Sequence, residues 1–532
     1  MSRTKGKSEA EQAGILVWGK IAAKATEALA PLVILYLMGE ADVGAFAALM
    51  LVYRTVIAFL TAGFPRAVLY FLTDRPAAIR RAIVSRLTKT NFALGAIAGL
   101  LFVVLGVFGP DAVEAIGRFM AEHFGRSPGS EGREGGVVGT LGSLPLLAVF
   151  ALFDVPARLL PNIFVAERRA RASAGVGVIY SLGMACGTLI PAAAGWGVPG
   201  IAAGIACFGV AYGVFFFAAL GRLYGGTPSP SPSAHIPHVR DLVRYSFPLG
   251  ITDIVNTLHT SLDLWLITIL FPLESVAHYK AGAWQIPIIT TIAYSVGAVY
   301  LPRFASLHAR GEGREAVRLW RESIEKVSLI VVPATLVFIV GAEEFCRLIF
   351  PAGYEPAAGV FRAYCFLTLG RVAAFGSVIV AAGKPNYVLK AASLTLLSNA
   401  VISIPLVLTM GFLGPAVGTA IAFVPTIFFY CYYIAKASEV PLRFTFPVWG
   451  YLRVILAAAP ACAAAVAVKL YLPWDYRLVF LVEAVVILVG YALVATVIGL
   501  LTREEWRFAL DWLRLRVMRD EPAADEERGA RE

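Results

Sequence analysis

Fourteen apolar stretches, each long enough to cross a bilayer and separated by short loops, occupy almost all of the 532 residues. The hydrocarbon core of a bilayer is about 30 Å thick, and roughly 20 apolar helical residues span it. The stretches are 13–38, 43–72, 90–109, 143–165, 174–194, 198–221, 245–271, 276–301, 327–347, 357–382, 387–409, 412–435, 449–471 and 478–501. Backbone polar groups in hydrocarbon must be satisfied within the segment, and runs this long do so as helices rather than barrel strands. The expected fold class is all-α integral membrane, with about 14 transmembrane helices.

Composition agrees, with 58% hydrophobic and 15% charged residues. The polar start MSRTKGKSEAEQAG leads into a span longer than a signal-peptide core, without a small-residue cleavage site, so the first helix is expected to stay as an anchor. The net charge of +10 reads as membrane orientation rather than nucleic-acid binding, because the cations gather on one side. Arg3, Lys5 and Lys7, then Arg75, Arg80, Arg81, Arg86 and Lys89, then Arg168, Arg169 and Arg171, then Arg303, Arg310, Arg314, Arg318 and Arg321 fall on the side of the N-terminus. The opposite connections 39–42, 195–197, 272–275 and 410–411 carry no Lys or Arg. Basic side chains resist translocation, so both termini are expected in the cytoplasm, the protein in the cytoplasmic membrane, and the long loop 110–142 outside.

Little in the chain suggests catalysis. The six cysteines, Cys186, Cys207, Cys346, Cys365, Cys431 and Cys462, lie in or beside apolar segments with no CxxC pair, which fits buried thiols. HExxH and GxxxxGK[ST] are absent, and the GxSxG match at Gly125–Gly129 lies in a polar loop without the turn that would activate Ser127. A transporter is expected, without a catalytic residue, metal site or cofactor beyond a coupling cation such as Na+ or H+.

The segment around 158–206 recurs around 371–422. Ile190-Pro191 matches Ile404-Pro405, Gly200 matches Gly414 and Gly204 matches Gly418 at an offset of 214, with Arg158 and Arg371 one residue out of step. A unit of six spans enters the membrane twice from the same side, so the copies relate by an axis along the membrane normal. The expected organisation is a six-helix lobe over 1–222, a cytoplasmic Pro/Ser-rich linker over 223–244, a second six-helix lobe over 245–436, two additional helices over 449–501, and an amphipathic helix with a charged tail over 502–532.

Ionisable groups at membrane depth are costly and face a bundle interior or a wet cavity. Lys20, Lys24 and Glu27 share one face of the first span. Asp253, Asn256, Thr257, Thr260 and Asp263 share a stripe of the seventh, with His259 beside it. Arg54, Asp154, Arg158, Lys280 and Arg371 add charge in the second, fourth, eighth and tenth. Plainer readings stand beside these. Lys20 could snorkel to the headgroups, Lys24 and Glu27 could pair within their helix, Asp154 and Arg158 could neutralise each other, and Lys280 reads as interfacial. Glu483 in the fourteenth span has no evident role. Lys20 and Asp253, 233 residues apart and at matched positions in the two lobes, are the expected gate partners.

The acidic turn Gly39-Glu-Ala-Asp-Val-Gly44, Arg303, Gly383-Lys-Pro385, Gly414-Pro-Ala-Val-Gly418 and the two extra C-terminal spans, taken in order, resemble the multidrug/oligosaccharidyl-lipid/polysaccharide exporter superfamily over nearly the whole chain. The polysaccharide flippase branch is the nearest match, and the lipid II flippase a relative. The resemblance implies two six-helix lobes in a V around a cavity lined by spans 1, 2, 7 and 8. It also implies alternating-access translocation of a polyprenyl-diphosphate-linked glycan, with a polysaccharide polymerase and glycosyltransferases as functional partners. Lys20, Lys24, Arg54 and Glu27 are then the expected substrate-binding set. Asp253, Asp263 and His259 are expected in gating or ion coupling, and Arg158 and Arg371 are cavity candidates. A cation-coupled multidrug exporter using Asp253, Asp263 or Glu27 is the main alternative, and a membrane glycosyltransferase or polymerase a third.

Overall fold

The computed structural model describes residues 23–61, 63–73, 75–124, 140–228, 231, 236–471 and 475–502. Within them the chain is all helical, as the length of the apolar runs requires. Ten stretches are long and apolar enough to cross a membrane by length and composition, with 385–438 counted as one. Lys20, the GxSxG match and nearly all of 502–532 lie outside the described residues.

The first lobe begins with α1 (23–37). It continues with α2 (Glu40–Thr61), α3 (Phe64–Leu72), α4 (Ala77–Phe124), α5 (Leu144–Ala157), α6 (Leu160–Ala166), α7 (Ala170–Ala193) and α8 (Gly197–Tyr224). The second contains α9 (Val239–Leu270), α10 (Leu273–Gly282), α11 (Pro287–Ala309), α12 (Gly313–Val340), α13 (Ala342–Ile349), α14 (Ala357–Gly370), α15 (Phe375–Ala381), α16 (Pro385–Met410) and α17 (Gly414–Ser438). The last pair is α18 (Val448–Tyr471) and α19 (Tyr476–Val497).

Several spans are broken, each for a local reason. Gly63, at φ 76°, separates α2 from α3, with Pro65 in the first turn of α3. Pro161 has no N–H to return to Ala157, so the fourth span breaks there, and Arg158 closes its first half. The tenth breaks after Arg371, the residue that the internal repeat matches to Arg158. One expectation needs correcting. Residues 110–124 are not loop but the continuation of α4 to Phe124, because Asp111–Phe124 contains no proline and is rich in helix formers.

The bundle has a turn end, carrying Glu40, Leu273 and Gly414, and a linker end, carrying Leu72, Tyr224 and Val239. At the turn end the lobes share one core, in which Tyr53, Phe102 and Phe150 of the first lobe are continuous with Val276, Tyr279 and Phe361 of the second. Glycine makes this approach close, since a Cβ on Gly44 would collide with the Leu273 backbone. At the linker end the cores separate. One gathers Phe64, Ile83, Leu87 and Leu159, and another gathers Phe304, Trp320, Val378 and Ile434 with Val454 and Tyr491 of the last pair. The lobes thus form a V with its apex at the turn end. Only α9 crosses. Its first turns bury Leu242 against the first lobe, while Ile267 belongs to the shared core. Arg86 fixes the crossing by donating to the carbonyls of Ile236 at 3.2 Å and Pro237 at 2.6 Å.

Candidate functional site: the gap between the lobes

α2 is the first lobe's wall of the gap, and α9 and α10 are the second's. Along α2, Tyr53 turns inward to its own lobe, and the next two residues face the other way. Thr55 Oγ1 accepts from Trp265 Nε1 at 3.2 Å, across the lobes. Arg54 is exposed. Lys280, on α10 of the opposite lobe, is also exposed and stands close enough to Arg54 for their like charges to repel. Among the described residues neither forms an ion pair with a carboxylate. The reading of Lys280 as interfacial took no account of Arg54. Its partner across the gap is another cation, which no pattern along a single helix could reveal.

The remaining sequence candidates divide. Lys24 donates to Glu27 Oε2 at 2.6 Å on α1, so each neutralises the other. Arg371 donates to Gln285 Oε1 at 3.0 Å and lies over the Phe423 ring, with His259 nearby. Arg158 is engaged inside the first lobe, 2.7 Å from Asp154 Oδ2. That carboxylate is fully buried and also accepts from Tyr53 at 2.6 Å and Tyr180 at 3.0 Å. Asp154 is therefore a satisfied acid with its own built-in cation.

Asp263 is a buried acid of a different kind. Its Oδ2 accepts from Tyr364 at 2.8 Å and lies 2.6 Å from Thr419 Oγ1. Thr419 Oγ1 is also 3.0 Å from Asn399 Oδ1, which lies 2.6 Å from Ser403 Oγ. With the Asn399 amide turned so that its nitrogen faces Thr419, that hydroxyl donates to Asp263 and accepts from Asn399. Oδ1 of Asp263 is buried without a hydrogen-bond partner, and the Tyr279 hydroxyl and the Asn399 amide lie beside the same carboxylate. Asp263 is thus a buried carboxylate among the polar side chains of Tyr364, Asn399, Ser403 and Thr419, with no cation built into the fold beside it among the described residues.

Two contacts close the gap at its ends. At the turn end Glu40 Oε2 is 2.8 Å from His278 Nε2. At the linker end Arg66 of α3 pairs with Asp253 of α9 at 2.7 Å, and Tyr70 stacks on Tyr245 at 4.1 Å between ring centres. Asp253 thus meets a cation of the first lobe on α3, and its expected partner Lys20 lies outside the described residues. The Arg66–Asp253 pair is half exposed and contributes roughly 0.2–1 kcal/mol, enough to change an open-to-closed ratio up to about fivefold. Arg66→Ala should raise the modification rate of a cysteine placed in the gap from the linker side by that factor. The swap Arg66→Asp with Asp253→Arg should return it toward the wild-type value, and a swap that opens the gap further would remove the pair as a gate.

Comparison with known proteins places this architecture. The model of a family described as polysaccharide biosynthesis protein matches residues 170–358. The structure of the lipid II flippase MurJ in an inward closed conformation superposes with a TM-score of 0.68 at 15% identity, covering 91% of this chain and 98% of that one. An outward-facing multidrug transporter of the MATE family superposes at 0.50 with 16% identity, covering 82% and 96%. The fold is the one that these two solved transporters share. The V of two lobes expected from the superfamily resemblance is the one observed. A probable low-salt glycan biosynthesis flippase, Agl15 of Haloferax volcanii, is 23% identical over 225 residues, which is 41% of this chain and 46% of that relative. The chain thus spans about half the length of this curated member.

Proposed function

We propose that the protein is a flippase that carries a polyprenyl-diphosphate-linked oligosaccharide across the cytoplasmic membrane by alternating access, supplying cell-surface polysaccharide assembly. The facing cations Arg54 and Lys280 carry this reading. A diphosphate leaving water needs charged donors, and these two, from opposite lobes and without a carboxylate, supply them. The polysaccharide family match and the flippase relatives support the same substrate class. At the linker end the V is held by α9, α3 and the Arg66–Asp253 pair, and parting that pair gives the substrate its way in. Opening at the turn end requires breaking the Glu40–His278 contact and parting Gly44 from Leu273. A multidrug exporter of cationic dyes fits poorly, because the gap repels them. Vesicles preloaded with a cationic dye should retain it at the rate of protein-free vesicles, and protein-dependent dye release would favour the multidrug reading.

In the same cycle, Asp263 with Asn399, Ser403 and Thr419 holds the coupling cation. These residues join α9, α16 and α17, so an ion there ties the crossing helix to the second lobe. The basic bias puts the linker end in the cytoplasm and the turn end outside. With the six native cysteines replaced, Ala41→Cys should react with an impermeant thiol reagent applied to intact cells and Ser306→Cys should not. The reverse pattern would invert the direction of transport.

A further inference from the structure

The linker end of the α16/α17 pair carries positive charge that the gap does not use. Lys390 of α16 and Lys436 of α17 converge on one ring, with Nζ at 5.8 Å and 5.7 Å from the centre of Tyr387. Tyr433 braces that ring, 5.1 Å away between centres. Both lysines are exposed, and among the described residues neither pairs with a carboxylate. A cation–π contact at an exposed position is weak, and two ammonium groups brought to the same ring repel each other. Such convergence is favourable once an anion sits between them.

The surroundings indicate which anion. Leu397, Val401 and Ile404 follow Lys390 by seven, eleven and fourteen residues, which keeps them on its helical face, and they are 59%, 63% and 45% exposed. Ile421, Val424 and Phe428 of α17 are likewise exposed. An apolar track of acyl-chain length therefore runs from the lysines toward the turn end, across two spans of the membrane. We propose that Tyr387, Lys390 and Lys436 form a headgroup site for an anionic phospholipid, whose chains lie along the outer face of α16 and α17. A polar phosphate between two lysines, continuous with an apolar track, matches a lipid and not a soluble anion. The site lies on the same two helices that contribute Asn399, Ser403 and Thr419, so lipid bound there steadies the frame of that cluster.

The test is lipid binding to the purified full chain in phosphatidylcholine micelles, titrated with phosphatidylglycerol and followed by native mass spectrometry. The wild type should prefer phosphatidylglycerol by about tenfold or more, and Lys390→Gln with Lys436→Gln should bring the preference below about twofold. A control pair, Lys89→Gln with Lys326→Gln, removes the same charge from exposed positions on α4 and α12 and should keep the wild-type preference. Equal loss in both pairs would reduce the effect to general surface charge and overturn the site. Displacement of the lipid by millimolar inorganic phosphate would overturn it too, because the occupant would then be a soluble anion.

Discussion

Arg54→Ala combined with Lys280→Ala is expected to lower flipping of a diphosphate-linked lipid by at least about a hundredfold while leaving the protein as stable as the wild type. A charge-assisted hydrogen bond is worth roughly 1.5–3 kcal/mol, so each alanine should cost about tenfold or more, and together they leave the desolvated diphosphate without a cation. The fold does not depend on either side chain. Both are exposed and repel each other, so removing them should hold the melting temperature or raise it. Arg54→Lys keeps the charge but loses the planar fork, and should retain part of the rate. Flipping rates in proteoliposomes, normalised to reconstituted protein, decide the matter, and a double variant with wild-type rate would remove these residues from the substrate site.

Asp263→Asn should separate the cation from the fold. In the wild type, Na+ should raise the melting temperature in proportion to site occupancy, because an ion that binds only the folded state stabilises it. In Asp263→Asn the response should vanish and flipping should fall about a hundredfold, since a neutral amide removes the only full charge from the oxygen cluster. Stability without Na+ should hold, as the variant also removes a buried charge. Asp154→Asn should behave in the opposite way, losing stability with or without Na+, because it strands Arg158. A Na+ response that survives in Asp263→Asn would place the cation elsewhere, and a response to pH in its place would identify the proton as the coupling ion.

Hydropathy made the all-helical fold legible because lipid leaves the backbone no alternative, but not the breaks at Gly63, Pro161 and Arg371 that divide its spans. Local chemistry made some partners legible too, since Asp154 and Arg158, or Lys24 and Glu27, lie one helical turn apart and meet as that spacing implies. Contacts between lobes were hidden. Arg66 meets Asp253 from a helix that begins only after the Gly63 break, so matching positions through the repeat could not point to it. Lys280 read as interfacial from its distance along the chain, and that distance gave no sign that the shared core brings α10 against α2 and Lys280 toward Arg54. The oxygen cluster around Asp263 draws on Asn399, Ser403 and Thr419, which are uncharged and common in membrane helices. Only their convergence on one buried carboxylate distinguishes them.

If this V of helices moves a diphosphate-linked sugar between leaflets, that movement can be measured in vesicles. Purified protein reconstituted into vesicles with a fluorescent polyprenyl-diphosphate oligosaccharide should make the probe in the inner leaflet accessible to an impermeant quencher or glycosidase. It should do so many times faster than protein-free vesicles, and the rate should collapse in Arg54→Ala with Lys280→Ala. A phospholipid probe lacking the diphosphate should stay in its leaflet. Equal movement of both probes, or movement of neither by folded protein in either cation condition, would contradict the account.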